Sequence, residues 1–304
     1  ENFDLEEYRN RLRGEPRLAI VEFPHRDYKA IIDGLAVSSF TIVYDLIDDW
    51  NDHTLGSWWY EQEFADWLIA RADVLGASAP SLLESLSRQS GREVVEVPNG
   101  VNTRLFAGSH DLATLPDLPP GNGPVFQYHG SLYGNWFDWD AVARVADNFP
   151  DARVVLIGDR PRHPPALPEN VHLLGLKAQS DLPAYLSRAD VGLVPFAVSR
   201  TTHAVSPLKV FEYLAMGVPA AGPPLESIAG LEGVHTDDDL VVAVKKALEA
   251  PRPDRHKASS EHGWDERLGR ILRAAGVDLP PIERPVRIER RPVRHYLEEE
   301  RVVR

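Results

Sequence analysis

The sequence predicts an α/β protein made of two doubly wound parallel-sheet domains, and three observations carry that prediction. Short apolar runs alternate with stretches of helical periodicity along most of the chain, the order a parallel sheet requires. That alternation breaks once, over 108–123, where Pro, Gly and Asp replace apolar periodicity as they do in an interdomain linker. A length of 304 residues is enough for two ordinary domains.

Taken in order, residues 1–16 are polar and read as a helix or an unanchored lead-in. A strand over 18–23 ends at Pro24, with His25 just beyond it. A short helix over 30–36 leads to a second strand over 41–44, whose end carries the acidic stretch Asp45, Asp48 and Asp49. A helix over 61–71, a strand over 74–77, a helix over 81–87 and a strand over 93–97 complete a first domain spanning 1–107. After the linker, a second domain over 124–250 opens with a strand at 125–128 that runs into the glycines Gly130 and Gly134. It continues with a helix (138–148), strands (153–158 and 171–174), a helix (181–189), strands (191–194 and 218–221) and a closing helix (240–250). An amphipathic helix over 264–275 lies within 251–283. The tail, 284–304, holds seven Arg and four Glu and reads as a mobile or partner-bound extension, with a membrane or a partner enzyme as possible contacts.

Composition excludes several classes. With 43% hydrophobic and 26% charged residues the profile is that of a soluble globular protein, and a net charge of −13 argues against nucleic-acid binding, which needs a basic footprint. The absence of cysteine excludes disulfides, thiolate nucleophiles and cysteine metal sites. No apolar run is long enough for a membrane span and no signal-peptide pattern is found, so the expectation is a cytoplasmic protein.

The stretch 206–219 carries the chemistry. Ser206 suits an N-cap and Pro207 the first helical position, while Gly217 stands where a left-handed residue ends a helix. Leu208, Phe211, Leu214 and Ala215 form a buried stripe, leaving Lys209 and Glu212 one turn apart on another side. A helix N-terminus with a cation suits a diphosphate, and an acceptor-only carboxylate suits the paired hydroxyls of a ribose.

Several phrases spread over 41–273 then come together: Tyr44-Asp45 with Asp48 and Trp50, Val97-Pro98-Asn99-Gly100, Tyr128-His129-Gly130-Ser131 with Asp138-Trp139-Asp140, Val155-Leu156-Ile157-Gly158, and 206–219. In order and spacing they resemble the GT-B glycosyltransferases, specifically the retaining family 4-like group. The resemblance implies two Rossmann-like domains facing a cleft, the first short or truncated here, with the acceptor on the first and a nucleotide-sugar donor on the second. It implies that Glu212 holds the ribose and that Lys209 with the amides of Ser206, Pro207 and Leu208 holds the diphosphate, Pro207 contributing no N–H of its own. Gly130 and Ser131 would approach the sugar phosphate, Arg160 would be a second phosphate cation, and the backbone near 174–177 would lie against the base. Lys209, Glu212 and Asp48 are the residues expected to serve the reaction. No metal or further cofactor is implied; the donor would be a UDP-, GDP- or dTDP-sugar and the acceptor a glycan or a lipid-linked glycan, in polysaccharide or glycolipid synthesis, with possible contact at the inner membrane.

Three features depart from the family pattern. Ala204 stands where a first glutamate facing the sugar is expected, Ile47 stands where many relatives have His, and the first domain is short. These leave two other readings: a non-catalytic nucleotide-sugar-binding module, or a sugar-nucleotide epimerase. Asp138-Trp139-Asp140 has an Asp-x-Asp spelling that could hold a cation. Helix capping explains it better, as it does Asp237 to Asp239.

Overall fold

The computed structural model describes residues 17–52, 55, 58–107, 115, 117–159 and 165–277. Arg160, the lead-in 1–16 and the tail 284–304 lie outside these residues.

The first sheet comprises β1 (Leu18–Val21), β2 (Thr41–Leu46), β3 (Val74–Ala77) and β4 (Val95–Glu96), all parallel and in consecutive order. Among the described residues this sheet is therefore wound in one direction, without the reversal expected of a doubly wound unit. Alternation along β2 explains its two covered faces. Ile42 and Tyr44 pack with α1 (Lys29–Val37), α2 (Gln62–Arg71) and α3 (Pro80–Ser90) through Leu35, Leu68 and Leu82. Val43 turns the other way and meets Val97 and Ile271, the latter on α11 (Trp264–Ala274), a helix that returns from the far end of the chain.

The second sheet holds β5 (Val125–His129), β6 (Arg153–Ile157), β7 (Val171–Gly175), β8 (Val191–Leu193), β9 (Ala220–Gly222) and β10 (Val234–Thr236). Their order is β10-β9-β8-β5-β6-β7 and every pairing is parallel. The chain winds outward from β5 to β7, then starts again at β8 on the other side. The crevice between the carboxyl ends of β5 and β8 is thus the switch point, where open α/β sheets bind ligands. The largest buried cluster fills this domain between the sheet and helices α5 (Trp139–Asn148), α6 (Leu182–Leu186), α8 (Leu208–Ala215) and α9 (Leu240–Glu249). The short helices α4 (Thr103–Phe106) and α7 (Arg200–His203), the longer α10 (Arg255–His262) and a 3-10 turn over Arg26–Tyr28 complete the described elements.

The halves are stitched by specific bonds. Asn99 donates its backbone N–H to Ser206 Oγ at 3.0 Å and its amide to the Ser206 carbonyl at 2.7 Å. Ser81 Oγ donates to the His203 carbonyl at 3.0 Å, Arg200 pairs with Asp49 at 3.1 Å, and Thr201 donates to Asp52. Val101 exchanges backbone bonds with His262 and Trp264. Lys177 and Tyr185 hold Asp117, and Arg153 holds the carbonyls of Pro119 and Gly123, so the described part of the linker is fastened to the second domain.

Candidate functional site

Two elements converge at the switch point. β5 ends in His129, and Gly130 turns the chain there at φ 137, a conformation L side chains rarely adopt. The turn is fixed by Tyr128, whose hydroxyl donates to the Ser131 carbonyl at 2.8 Å, and by Leu132 N–H donating to Asp159 Oδ1 at 3.0 Å. Gly158 faces this turn so closely that a Cβ there would overlap the Gly130 carbonyl oxygen. From the other side comes α8, seated on β8 because Gly192 leaves room for the Tyr213 ring, whose hydroxyl donates to the Leu193 carbonyl at 3.1 Å.

The start of α8 differs from the sequence expectation. The helix begins at Leu208, and Pro207 occupies the cap position without a side-chain cap bond. Ser206 does not cap it: its hydroxyl is turned to Asn99, because the tertiary contact between the two halves brings that backbone N–H to the buried Ser206. Gly217 does adopt the left-handed conformation, at φ 69. The helix is buried on nearly all sides, wider than the single stripe expected, and Leu208 is one of its less buried members.

Lys209 and Glu212 stand against the β5 turn. Lys209 Nζ lies 5.1 Å from the centroid of the Tyr128 ring and 4.7 Å from that of Phe196, an aromatic cradle for a cation. Burial lowers its pKa to about 8, against the pull of Glu212. Glu212 is 3% exposed. Its Oε2 is 2.6 Å from His129 Nε2, and Gln179 donates to its Oε1 at 3.4 Å. His129 and Gln179 also line a cavity of about 490 Å³ together with Gly130, Ser131, Gly158, Leu176 and Lys177. His129 Nδ1 is buried without a partner among the described residues.

The structure therefore brings Lys209 and Glu212 against the turn of Gly130 and Ser131, behind His129 and Gln179, which line the cavity together with Leu176 and Lys177. Ser206 and Pro207 lie just before the helix and Ser206 is committed to Asn99. Sequence reasoning assigned no role to His129 or Gln179. The available signal for His129 was its place as the last residue of a strand, directly before a glycine turn; nothing local marks Gln179.

On the first-domain side, a second cavity of about 590 Å³ is lined by Tyr44, Trp50, Tyr60, Gln62 and Ser81, and by Arg200 and Ala204 from the second domain. Beside it Trp50 contacts Phe23 at 4.7 Å and Trp59 at 5.4 Å between ring centroids. Ala204 is 4% exposed and packs with the first-domain core. Asp48 follows β2; burial first, and then the neighbouring Asp49, raise its pKa to about 6. No bond joins its side chain to the β5 and α8 residues among the described contacts. Asp138 and Asp239 accept from Ala141 and Val241 N–H groups at their helix starts, as caps do.

Residues 123–250 match the family described as glycosyl transferases group 1. A Bacillus subtilis (strain 168) protein named as the teichuronic acid biosynthesis glycosyltransferase TuaH is 27% identical over 233 residues, 69% of this chain, and the match spans 58% of that relative's length. Among solved structures, the Anabaena protein Alr3699/HepE in complex with UDP and glucose superposes with a TM-score of 0.62 at 15% identity, covering 89% of this chain and 80% of that one. The sucrose-phosphate synthase of Thermosynechococcus elongatus gives 0.60 at 15% identity, covering 90% and 80%. The pneumococcal O-GlcNAc transferase GtfA in complex with UDP and GlcNAc gives 0.57 at 12% identity, covering 90% and 59%. The chain has the GT-B fold, and its second domain, over 123–250, matches the model of the group 1 glycosyl transferases.

Proposed function

We propose that this chain is a retaining glycosyltransferase that moves a hexosyl unit from a nucleotide-diphosphate sugar to a hydroxyl of a glycan or lipid-linked glycan, without a metal, in cell-surface polysaccharide or glycolipid synthesis. The observation that carries the reading is the convergence of Lys209, the start of α8 and the Glu212 carboxylate on the Gly130 turn at the sheet's switch point. The diphosphate lies against Lys209 and the N–H groups at the start of α8. The ribose meets Glu212, and the base lies along Leu176 and Lys177.

In this reaction the acceptor hydroxyl oxygen forms a bond to the anomeric carbon while the bond from that carbon to the β-phosphate oxygen breaks. Charge grows on the departing diphosphate, and a fixed cation and helix-end dipoles stabilise it without a protein nucleophile. The acceptor is held by the cavity of about 590 Å³, within the roughly 300–1,000 Å³ of small-molecule sites. Its aromatic and hydrogen-bonding walls suit a sugar ring. Asp48, with its pKa raised to about 6, is ionised at neutral pH and takes the acceptor proton. Work in the cytoplasm, with the Arg-rich tail on the inner membrane or a partner enzyme, fits a lipid-linked acceptor; no helix of the described residues is long and apolar enough to cross a membrane.

One observation favours a second reading. Ala204 is buried against the first-domain core and brings no carboxylate to the sugar end of the crevice, as expected of a module that binds nucleotide sugars without turning them over. A thermal-shift screen with UDP-, GDP- and dTDP-sugars, followed by product analysis with and without glycan acceptors and with a chelator present, separates these readings. Glycoside of retained configuration supports the transferase; binding without product supports the module; a changed sugar without acceptor supports an epimerase.

A further inference from the structure

The contact between His129 and Glu212 specifies more than proximity. Both side chains are buried, at 7% and 4% exposure, and their polar atoms are 2.6 Å apart. Burial holds the His129 pKa below its ordinary value despite the carboxylate, and the nearby Lys209 cation acts in the same direction. A neutral imidazole carries one proton. Because a carboxylate only accepts, that proton sits on Nε2, and Nδ1 is left as a bare acceptor.

The two oxygens of Glu212 are held unequally. His129 grips Oε2 through a short bond from a strand end, with its ring braced edge-on by Tyr213 at 5.1 Å. Among the described residues, Oε1 has only the 3.4 Å bond from Gln179, a side chain that lines the open cavity. A bond of that length is weak and readily exchanged for a better donor. A free glutamate side chain would lose rotamer freedom on binding, whereas one already pinned has lost it in folding.

Resting on the proposed ribose role of Glu212, we infer that His129 is a positioning residue that locks the Glu212 carboxylate by one oxygen and thereby presents the other to the paired hydroxyls of the donor's ribose. Gln179 is the placeholder that those hydroxyls displace. His129 itself need not touch the donor.

The full chain is titrated with UDP and GDP and with their 2′-deoxy counterparts, in wild type and in Glu212→Gln, His129→Met and His129→Gln variants, with melting curves to check folding. Methionine keeps the volume and removes the donor; glutamine keeps an N–H donor. Wild type should prefer the ribonucleotide by about tenfold, the worth of one hydrogen bond to a charged group, and Glu212→Gln should reduce that preference. His129→Met should bring it to within about twofold while the deoxynucleotide binds nearly as before, and His129→Gln should retain most of it. A wild-type preference that survives His129→Met overturns the positioning role alone. A wild type without preference, or one that Glu212→Gln leaves unchanged, overturns the ribose role of Glu212 and the inference with it. If His129→Met does not fold, loss of the preference in a folded His129→Gln overturns the inference and its retention supports it.

Discussion

Arg267 reaches 222 positions back along the chain to place Nη2 2.5 Å from Asp45 Oδ2, and neither residue is more than 9% exposed. The contact follows from alternation along β2: with Ile42 and Tyr44 facing the helices of their own domain, Asp45 must face α11. Burial raises the Asp45 pKa, outweighing the attraction of Arg267, and Asp45 Oδ1 and Arg267 Nε have no partner among the described residues. Such a pair fixes where α11 docks more than it stabilises the fold.

Removing one member should therefore cost far more than removing both. Arg267→Met should destabilise the chain by about 3–5 kcal/mol, because it strands a buried carboxylate. The double variant Asp45→Leu with Arg267→Met should recover most of that loss. Urea denaturation with unchanged slope measures both. A single variant as stable as wild type would show that α11 docks without this pair.

Glu212→Ala should weaken nucleotide binding or turnover by about ten- to a hundredfold with the fold intact, since a hydrogen bond to a charged group contributes roughly 1.5–3 kcal/mol. Calorimetric titration with the nucleotide found in the thermal-shift screen reads the change. Unchanged affinity and turnover would remove Glu212 from the site.

Activity should follow a bell in pH. Asp48, raised to about 6 by burial, must be ionised to take a proton, so kcat/KM falls as pH drops through that value. Lys209, lowered to about 8 by burial, must be charged to hold a diphosphate, so kcat/KM falls as pH rises through that value. Asp48→Asn should abolish the acid limb and Lys209→Met the alkaline one. A profile flat from about pH 5 to 9 contradicts both assignments.

Gly158→Ala should cost about 1–3 kcal/mol through overpacking, because the added methyl would overlap the Gly130 carbonyl. The Gly130 turn must then shift, so nucleotide affinity should fall together with the melting temperature. A variant that loses stability and keeps full affinity would place the diphosphate away from that turn.

Much of this architecture is legible in local sequence. The strand at Val74–Ala77 matches the predicted span, and that at Thr41–Leu46 extends it by two residues, because short apolar runs between helical stretches have few other uses. The helix Arg255–His262 and the strand Val234–Thr236 were not anticipated. The first is strongly polar and the second only three residues long, so neither has a period to detect.

The sequence by itself determined the α/β class and the pairing of Lys209 with Glu212 on one helix, since both rest on composition and spacing within one segment. Tertiary structure alone decided that Ser206 serves Asn99 instead of its own helix, that His129 grips Glu212 from 83 positions away, and that Ala204 joins the first-domain core. Each of these depends on which strand ends meet at a sheet reversal and which surfaces close between two halves. That information lies in long-range packing, where a polar side chain takes whichever buried partner the fold brings to it.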